Sequence, residues 1–273
     1  MPELKYRAAL DGLDVGAIRR RLTGDVVGTH VYVFAEVAST NAALRELAEA
    51  GAGEGTVLLA EAQQAGRGRL DTAWFSPPGL NLYASVLFRP AISASAPPVF
   101  SFIASLALTD AVRMLGVPAG VKWPNDVLVG GRKLAGTRLD VATAGDRVLH
   151  VIVGVGVNIN VGRDELRSGL GAAAAGATSL SEVLGRAVDR NAFAAEFLNQ
   201  LDVWSRLHGT LGPDVVLNAW RDRDVFAGRQ AHVETPDGAV VGRVAGVNAH
   251  GFLLVDDETG RRWTIASGAL RRA

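Results

Sequence analysis

Hydrophobic positions follow strand and helix spacings in turn through residue 223, which predicts a unit that mixes both elements. Strands are predicted over residues 30–37, 56–62, 81–88, 127–129, 133–142 and 147–159, with a short one at Val121. Helices are predicted over residues 15–22, 42–50, 99–115, 191–207 and 214–221. Gly130-Gly131 and Gly145-Asp146 are typical of hairpin turns, so the strands should form a mixed, largely antiparallel sheet.

A different pattern begins after Asp224, where short strands alternate with tight turns. These strands are predicted over residues 230–235, 239–247, 252–256 and 262–266. We therefore predict an α+β fold in residues 1–223 and a small C-terminal β-barrel in residues 224–273. The small-residue stretch Gly169–Ala177 is interpreted as a mobile loop, and Arg271-Arg272 as a solvated tail.

Composition excludes several classes of function. The 28 basic and 28 acidic side chains balance. The chain therefore has no excess of positive charge that would predict binding to nucleic acid or to an anionic membrane. There is no cysteine, which excludes thiol catalysis and disulfide bonds. The segment Met1–Arg7 has no apolar core of the signal-peptide kind, so we expect a cytoplasmic protein.

Lysine is rare and clustered. Only three of the 28 basic residues are lysines, and two of them, Lys122 and Lys133, lie eleven positions apart. A lysine ammonium is a compact point charge that suits phosphoryl or acyl transition states. The alternative is that both lysines lie by chance on a solvated turn.

Three further segments carry candidate chemistry. In Gly66–Arg69, glycines allow a ligand close to the backbone and two arginines could clamp an anion, although an exposed turn explains the pattern as well. Residues 123–126, Trp-Pro-Asn-Asp, form either a rigid polar site or an ordinary turn. Gly154 and Gly156 interrupt an apolar strand, which indicates either close approach of a ligand or a β-bulge.

Seven segments, in matching order and spacing from about residue 30 onward, resemble the biotin protein ligase family. They are Ser39-Thr40-Asn41, Gln63–Arg69, Trp74–Pro77, Asn81-Leu82-Tyr83, Lys122–Asp126, Lys133–Gly136 and Gly154-x-Gly156-x-Asn158. The family fold, a catalytic α+β domain followed by a small β-barrel, agrees with the division near residue 223.

The resemblance implies an ATP-dependent ligase. Biotin and ATP, with Mg²⁺, would form biotinyl-5′-adenylate and pyrophosphate, and the acyl group would pass to one lysine of a biotin carboxyl carrier domain of an acyl-CoA carboxylase. The resemblance implies that the biotin-binding residues are Ser39, Thr40, Asn41, Gln63, Gly66, Arg67, Gly68, Arg69, Lys133 and Gly136. It implies nucleotide contacts for Arg69, Trp74, Lys122, Asn125, Asn158 and Trp263. The implied catalytic residues are Lys133, Arg67 and Lys122, and Asp126 is the candidate metal ligand.

Two departures from the family pattern modify these expectations. The loop continues as Leu70-Asp71 where relatives often carry further basic and glycine residues, so adenylate retention should be weaker. Only 38 residues precede Ser39, too few for the DNA-binding domain of some members, so we expect no DNA binding and a monomer or weak homodimer. Residues 53–71 and 162–176 are expected to be mobile without ligand and ordered by the adenylate.

Three alternatives stay open. Lipoate and octanoate ligases share the catalytic fold, although residues 66–69 and 122–126 favour biotin. A biotin-sensing regulator would bind biotin without releasing pyrophosphate. An inactive homologue is the third alternative, and it is disfavoured because both lysines and both loop arginines are present.

Overall fold

The computed structural model describes residues 12–96 and 98–272. The predictions that concern Lys5 and the segment Met1–Arg7 lie outside these residues. Within them, no helix combines the length and the apolar character needed to cross a bilayer.

Seven strands form the larger sheet. They are β1 (His30–Phe34), β2 (Thr56–Ala60), β3 (Leu82–Phe88), β4 (Ala119–Lys122), β5 (Asp126–Val129), β6 (Arg132–Ala144) and β7 (Arg147–Val157). Their spatial order is β1-β2-β3-β7-β6-β5-β4, with β1 and β2 parallel and all other neighbours antiparallel. The prediction of a mixed, largely antiparallel sheet is confirmed.

Helices cover both faces of this sheet. They are α1 (Val15–Arg19), α2 (Thr40–Glu49), α3 (Val99–Arg113), α4 (Arg163–Leu170), α5 (Leu180–Leu184), α6 (Arg190–Leu211) and α7 (Pro213–Arg221). Helix α3 is buried on nearly every side because it lies between the sheet and helices α6 and α7. On the opposite face, Leu44 and Ala48 of α2 pack on Leu58, Leu87 and Ile152 of the sheet.

One predicted feature of the helical regions needs correction, and the helix caps are as follows. Asp14 caps α1, since its carboxylate accepts the Ala17 N–H. Ser39 occupies the cap position of α2 but makes no side-chain cap bond. The segment interpreted as a loop over residues 169–177 contains the end of α4 and a 3₁₀ helix, Gly171–Gly176. Helix α4 escaped prediction because only Leu166 of its residues is buried, so it lacks an apolar stripe.

Five antiparallel strands form the smaller sheet. They are β8 (Gln230–Thr235), β9 (Gly238–Val247), β10 (Leu253–Asp256), β11 (Arg262–Ile265) and β12 (Ala269–Arg272), in the order β11-β10-β9-β8-β12. This sheet is consistent with the small barrel that was predicted. Arg271 and Arg272 are exposed, as expected, but they belong to β12 and pair with β8 rather than forming a tail.

The two sheets share one apolar core. The Trp123 indole N–H donates to the Gly251 carbonyl at 3.1 Å, and the Arg221 guanidinium donates to the Val247 carbonyl at 2.8 and 3.0 Å. The Phe102 ring packs against Gly251 so closely that a Cβ there would lie 2.4 Å from it. The boundary near residue 223 therefore stays a prediction that rests on the change of sheet.

Candidate active site

A pocket of about 390 Å³ opens where the start of α2, the middle of β6 and β7, and the first residues of β12 come together. It brings together most of the residues singled out in the sequence. The predicted site residues in its lining are Ser39, Thr40, Asn41, Gln63, Arg67, Gly68, Arg69, Trp74, Lys122, Asn125, Asp126, Lys133, Gly136 and Asn158.

Polar side chains at the start of α2 form a hydrogen-bonded network on one wall. The Gln63 carbonyl oxygen accepts the Thr40 N–H at 2.9 Å, and the Gln63 amide donates to Ser76. The buried Ser85 hydroxyl donates to the Asn41 carbonyl at 2.6 Å and lies 2.8 Å from the Thr40 hydroxyl. The Asn41 side-chain amide is buried and has no partner among the described residues, so this wall holds an unused donor.

The two glycines of β7 make room for side chains that line the pocket. A Cβ on Gly154 would lie 2.0 Å from Asn41 Oδ1, and one on Gly156 would lie 2.3 Å from the Trp74 ring. The register of β7 with both neighbouring strands is regular at these positions, so the bulge alternative is wrong. The glycines therefore let Asn41 and Trp74 lie directly on the sheet.

Asp126 joins the two rare lysines. Its carboxylate lies 2.7 Å from the Lys133 ammonium and 3.3 Å from the Lys122 ammonium, and Asp126 itself is buried. The Lys133 ammonium also lies 5.3 Å from the centre of the Trp74 ring. The register of β4 and β5 places Lys122 opposite Asp126, and Lys133 reaches the same carboxylate from the neighbouring strand β6. The solvated-turn alternative for the lysines is therefore wrong.

Residues 66–72, which we call the lid, contribute residues 67–70 and Thr72 to the pocket lining. The Arg69 guanidinium reaches the smaller sheet, where it donates to the Ser267 hydroxyl at 3.1 Å. Burial lowers the pKa of Arg69, although the nearby Asp126 carboxylate acts in the opposite direction. The more exposed Arg67 donates to the Asp71 carbonyl within the lid. The lid thus presents two guanidinium groups to the pocket.

Two asparagines of the predicted set tie strands together at the pocket. The Asn125 amide donates to the Thr137 carbonyl at 2.5 Å, and the Asn158 amide donates to the Thr178 carbonyl at 3.0 Å. Two other predicted residues do not line the pocket. Gly66 is buried behind Gln63 and Ser76, and Trp263 lies on β11, where its indole donates to Asp257.

Residues 33–158 match the model of the family described as "Biotin/lipoate A/B protein ligase family". Residues 226–268 match the model described as "Biotin protein ligase C terminal domain". The biotin–[acetyl-CoA-carboxylase] ligase of Paracoccus denitrificans is 35% identical, with 84% of this chain and 95% of that protein covered. The ligase of the same description from Mycobacterium tuberculosis is 34% identical, with 94% of both chains covered. The chain belongs to the biotin protein ligase family.

The solved structures agree on the fold. The biotin protein ligase from Aquifex aeolicus in complex with biotin and ATP superposes with a TM-score of 0.75. That alignment covers 90% of this chain and all of the other, at 24% identity. At that identity it establishes the biotin protein ligase fold in this chain and not the roles of individual residues.

The described residues do not form a site for the Mg²⁺ that accompanies ATP. Both oxygens of Asp126 bond to lysine ammonium groups. Over residues 12–96 and 98–272, no three His, Cys, Asp or Glu side chains are grouped to hold an ion. Mg²⁺ is commonly carried on substrate phosphates with few protein ligands.

Several pocket residues of this biotin protein ligase were not singled out in the sequence. Gly268–Arg271 lie at the start of β12, Phe75 packs on Gly169, and Arg138 projects from β6. Phe75 lies in the segment Trp74–Pro77, which resembles the family, but the sequence predicted no binding or catalytic role for it. Arg138 had no sequence signal, because it is one of 25 arginines in an otherwise ordinary strand.

Proposed function

We propose that this chain ligates biotin to a carrier protein in two steps. The biotin carboxylate attacks the α-phosphorus of ATP, pyrophosphate leaves, and biotinyl-5′-adenylate remains in the pocket. The amine of a carrier lysine then attacks the acyl carbon, and AMP leaves. The carrier is the biotin carboxyl carrier domain of an acyl-CoA carboxylase, in keeping with the names of the relatives.

The observation that carries this proposal is the cluster of cations around Asp126. Lys122 and Lys133 contact its carboxylate, and Arg69 lines the same pocket. A reaction between a carboxylate and a triphosphate brings anions together, and charge grows on the phosphoryl oxygens. Fixed cations in a partly enclosed pocket stabilise that charge. We infer that Lys133 moves its ammonium from Asp126 to the reacting anions.

The remaining roles follow from the chemistry of each wall. Biotin is a largely apolar acid with a ureido ring, so its pocket needs a few aimed polar groups. Thr40, Asn41 and Gln63 supply these, and the unused Asn41 amide is a donor for the ureido oxygen. The Trp74 ring, on the other side of Lys133, is a flat surface for the adenine or ribose.

The decisive experiment measures pyrophosphate release after biotin and ATP are mixed with the protein. We expect turnover in the wild type and a loss of about 100- to 1,000-fold in Lys133→Ala, as for the removal of one oxyanion-stabilising donor. Arg186→Ala, which removes an exposed cation outside the pocket lining, serves as the control and should keep wild-type activity. Full activity in Lys133→Ala would remove Lys133 from the mechanism.

A parallel assay supplies lipoate in place of biotin. Pyrophosphate release with lipoate alone would refute the choice of substrate, and biotin binding without pyrophosphate release would indicate a regulator. We further propose a cytoplasmic enzyme that is a monomer or weak homodimer and does not bind DNA. Sedimentation with and without biotin and ATP tests the oligomeric state, and a salt-dependent gel shift on DNA would contradict the last prediction.

A further inference from the structure

Arg138, which was not among the predicted site residues, contacts the lid. This residue lies on β6, and its guanidinium donates to the Gly68 carbonyl at 2.7 Å and to the Asp71 carboxylate at 2.9 Å. Its Nε donates to Asp140 on the same strand at 3.2 Å, which orients the guanidinium. One side chain thus holds both the backbone and a side chain of the lid.

The lid conformation needs such support. Leu70 and Asp71 have φ values of 52° and 55°, in the left-handed region that side chains other than Gly, Asn and Asp avoid. The side chains of both residues are exposed, so apolar burial does not stabilise the turn. Hydrogen bonds from Arg138 on one side and from Arg69 to Ser267 on the other connect the lid to the surrounding structure.

We propose that Arg138 is a positioning residue that keeps the lid closed, and that Asp71 is its partner on the lid. The sequence Leu70-Asp71 lacks the basic charge that the family pattern often has there, and the Arg138–Asp71 pair ties the lid to β6 at the same place. The structural half of this proposal stands without any substrate. The functional half, retention of the adenylate until a carrier arrives, rests on the proposed function.

The structural half is tested by trypsin, which cleaves after arginine and therefore reads lid opening at Arg67 and Arg69. Cleavage of a folded segment requires local opening, so its rate follows the population of the open lid. For Arg138→Gln without ligand we expect about tenfold faster cleavage at these sites, equivalent to about 1.4 kcal/mol. Arg138→Lys keeps one donor group and should lie between the two.

Two further variants control for misfolding and for charge. Asp71→Asn keeps a residue that tolerates the left-handed backbone but removes the charge, so we expect about threefold faster cleavage, in line with a modest exposed ion pair. Arg45→Gln breaks an ion pair of 2.6 Å to the same Asp140 carboxylate without any contact to the lid, and should cleave like the wild type. Unchanged cleavage in both Arg138→Gln and Asp71→Asn would overturn the proposal.

The functional half is read in a single turnover with biotin and ATP and no carrier. We expect Arg138→Gln to release biotinyl-adenylate into the filtrate about tenfold faster than the wild type does, with each release rate compared with the same protein's rate of pyrophosphate formation. Faster cleavage combined with unchanged release would refute adenylate retention while the lid contact stands. A wild type that opens slowly but forms no adenylate would instead refute the proposed function.

Discussion

Substituting Gly156 by alanine should damage the site through Trp74. A methyl at residue 156 would lie 2.3 Å from Trp74 Cε2 and 2.4 Å from Nε1, so the ring must move by about 1 Å to restore ordinary contact. Strand β7 blocks one direction, and the ring is therefore pushed toward Lys133 and the pocket. Overpacking of this kind costs about 1–3 kcal/mol of folding free energy.

The consequence for catalysis should exceed the consequence for stability. A misplacement of about 1 Å can reduce turnover by about 100-fold, and we expect Gly156→Ala to raise the KM for ATP more than the KM for biotin. The melting temperature should fall by about 2–4 °C for each kcal/mol of folding free energy lost.

Gly209→Ala is the matched control. Gly209 lies in α6 with no atom within 4 Å of the added methyl, so the same substitution should raise the free energy of unfolding by about 0.5–1 kcal/mol. A Gly156→Ala protein that melts and releases pyrophosphate like the wild type would refute the idea that β7 fixes the Trp74 ring.

Two further predictions concern partly buried carboxylates. Glu182 accepts hydrogen bonds from Arg132 and Arg163. Burial alone would raise the pKa of Glu182, but these two arginines lower it below the ordinary value. The stability that the ionised Glu182 contributes is therefore lost as the pH falls through its folded-state pKa. Glu182→Gln should therefore lower stability by about 1–2 kcal/mol at pH 7 and by less at pH 3, measured by thermal unfolding at both pH values; equal losses would contradict this. Burial raises the pKa of Asp224 to about 6 in the folded protein. The stability linked to the neutral carboxyl is therefore fully present below the pKa that Asp224 has in the unfolded chain. That stability is lost as the pH rises through about 6. Asp224→Asn should then melt higher relative to wild type at pH 8 than at pH 5, and a constant difference would argue against a raised pKa.

The sequence predicted the elements whose signals are local. The apolar run from Val99 to Arg113 predicts a helix whatever surrounds it, and hairpin glycines mark the turns between β5 and β6 and between β6 and β7. Glycines within β7 signalled close approach, although the approaching groups proved to be Asn41 and Trp74 of the same chain. The choice between ligand and neighbour depends on tertiary contacts, which the strand pattern does not contain.

Other parts of the site had no local signal. Strand β12 is four residues long and ends in two arginines, so its burial depends on pairing with β8. The contact of Arg138 with Asp71 joins residues 67 positions apart, and neither residue is unusual in its own segment.

The contribution of Gly268–Arg271 to the pocket affects when the enzyme becomes competent during its synthesis. All other pocket residues lie between positions 39 and 177, so the ribosome makes the larger sheet long before the last wall. Domains commonly begin to fold as they emerge, and a nascent chain could acquire its cation cluster while one side of the site is still missing. Such an intermediate would leave a reactive acyl phosphate open to water, and productive chemistry must wait for the final strand to dock.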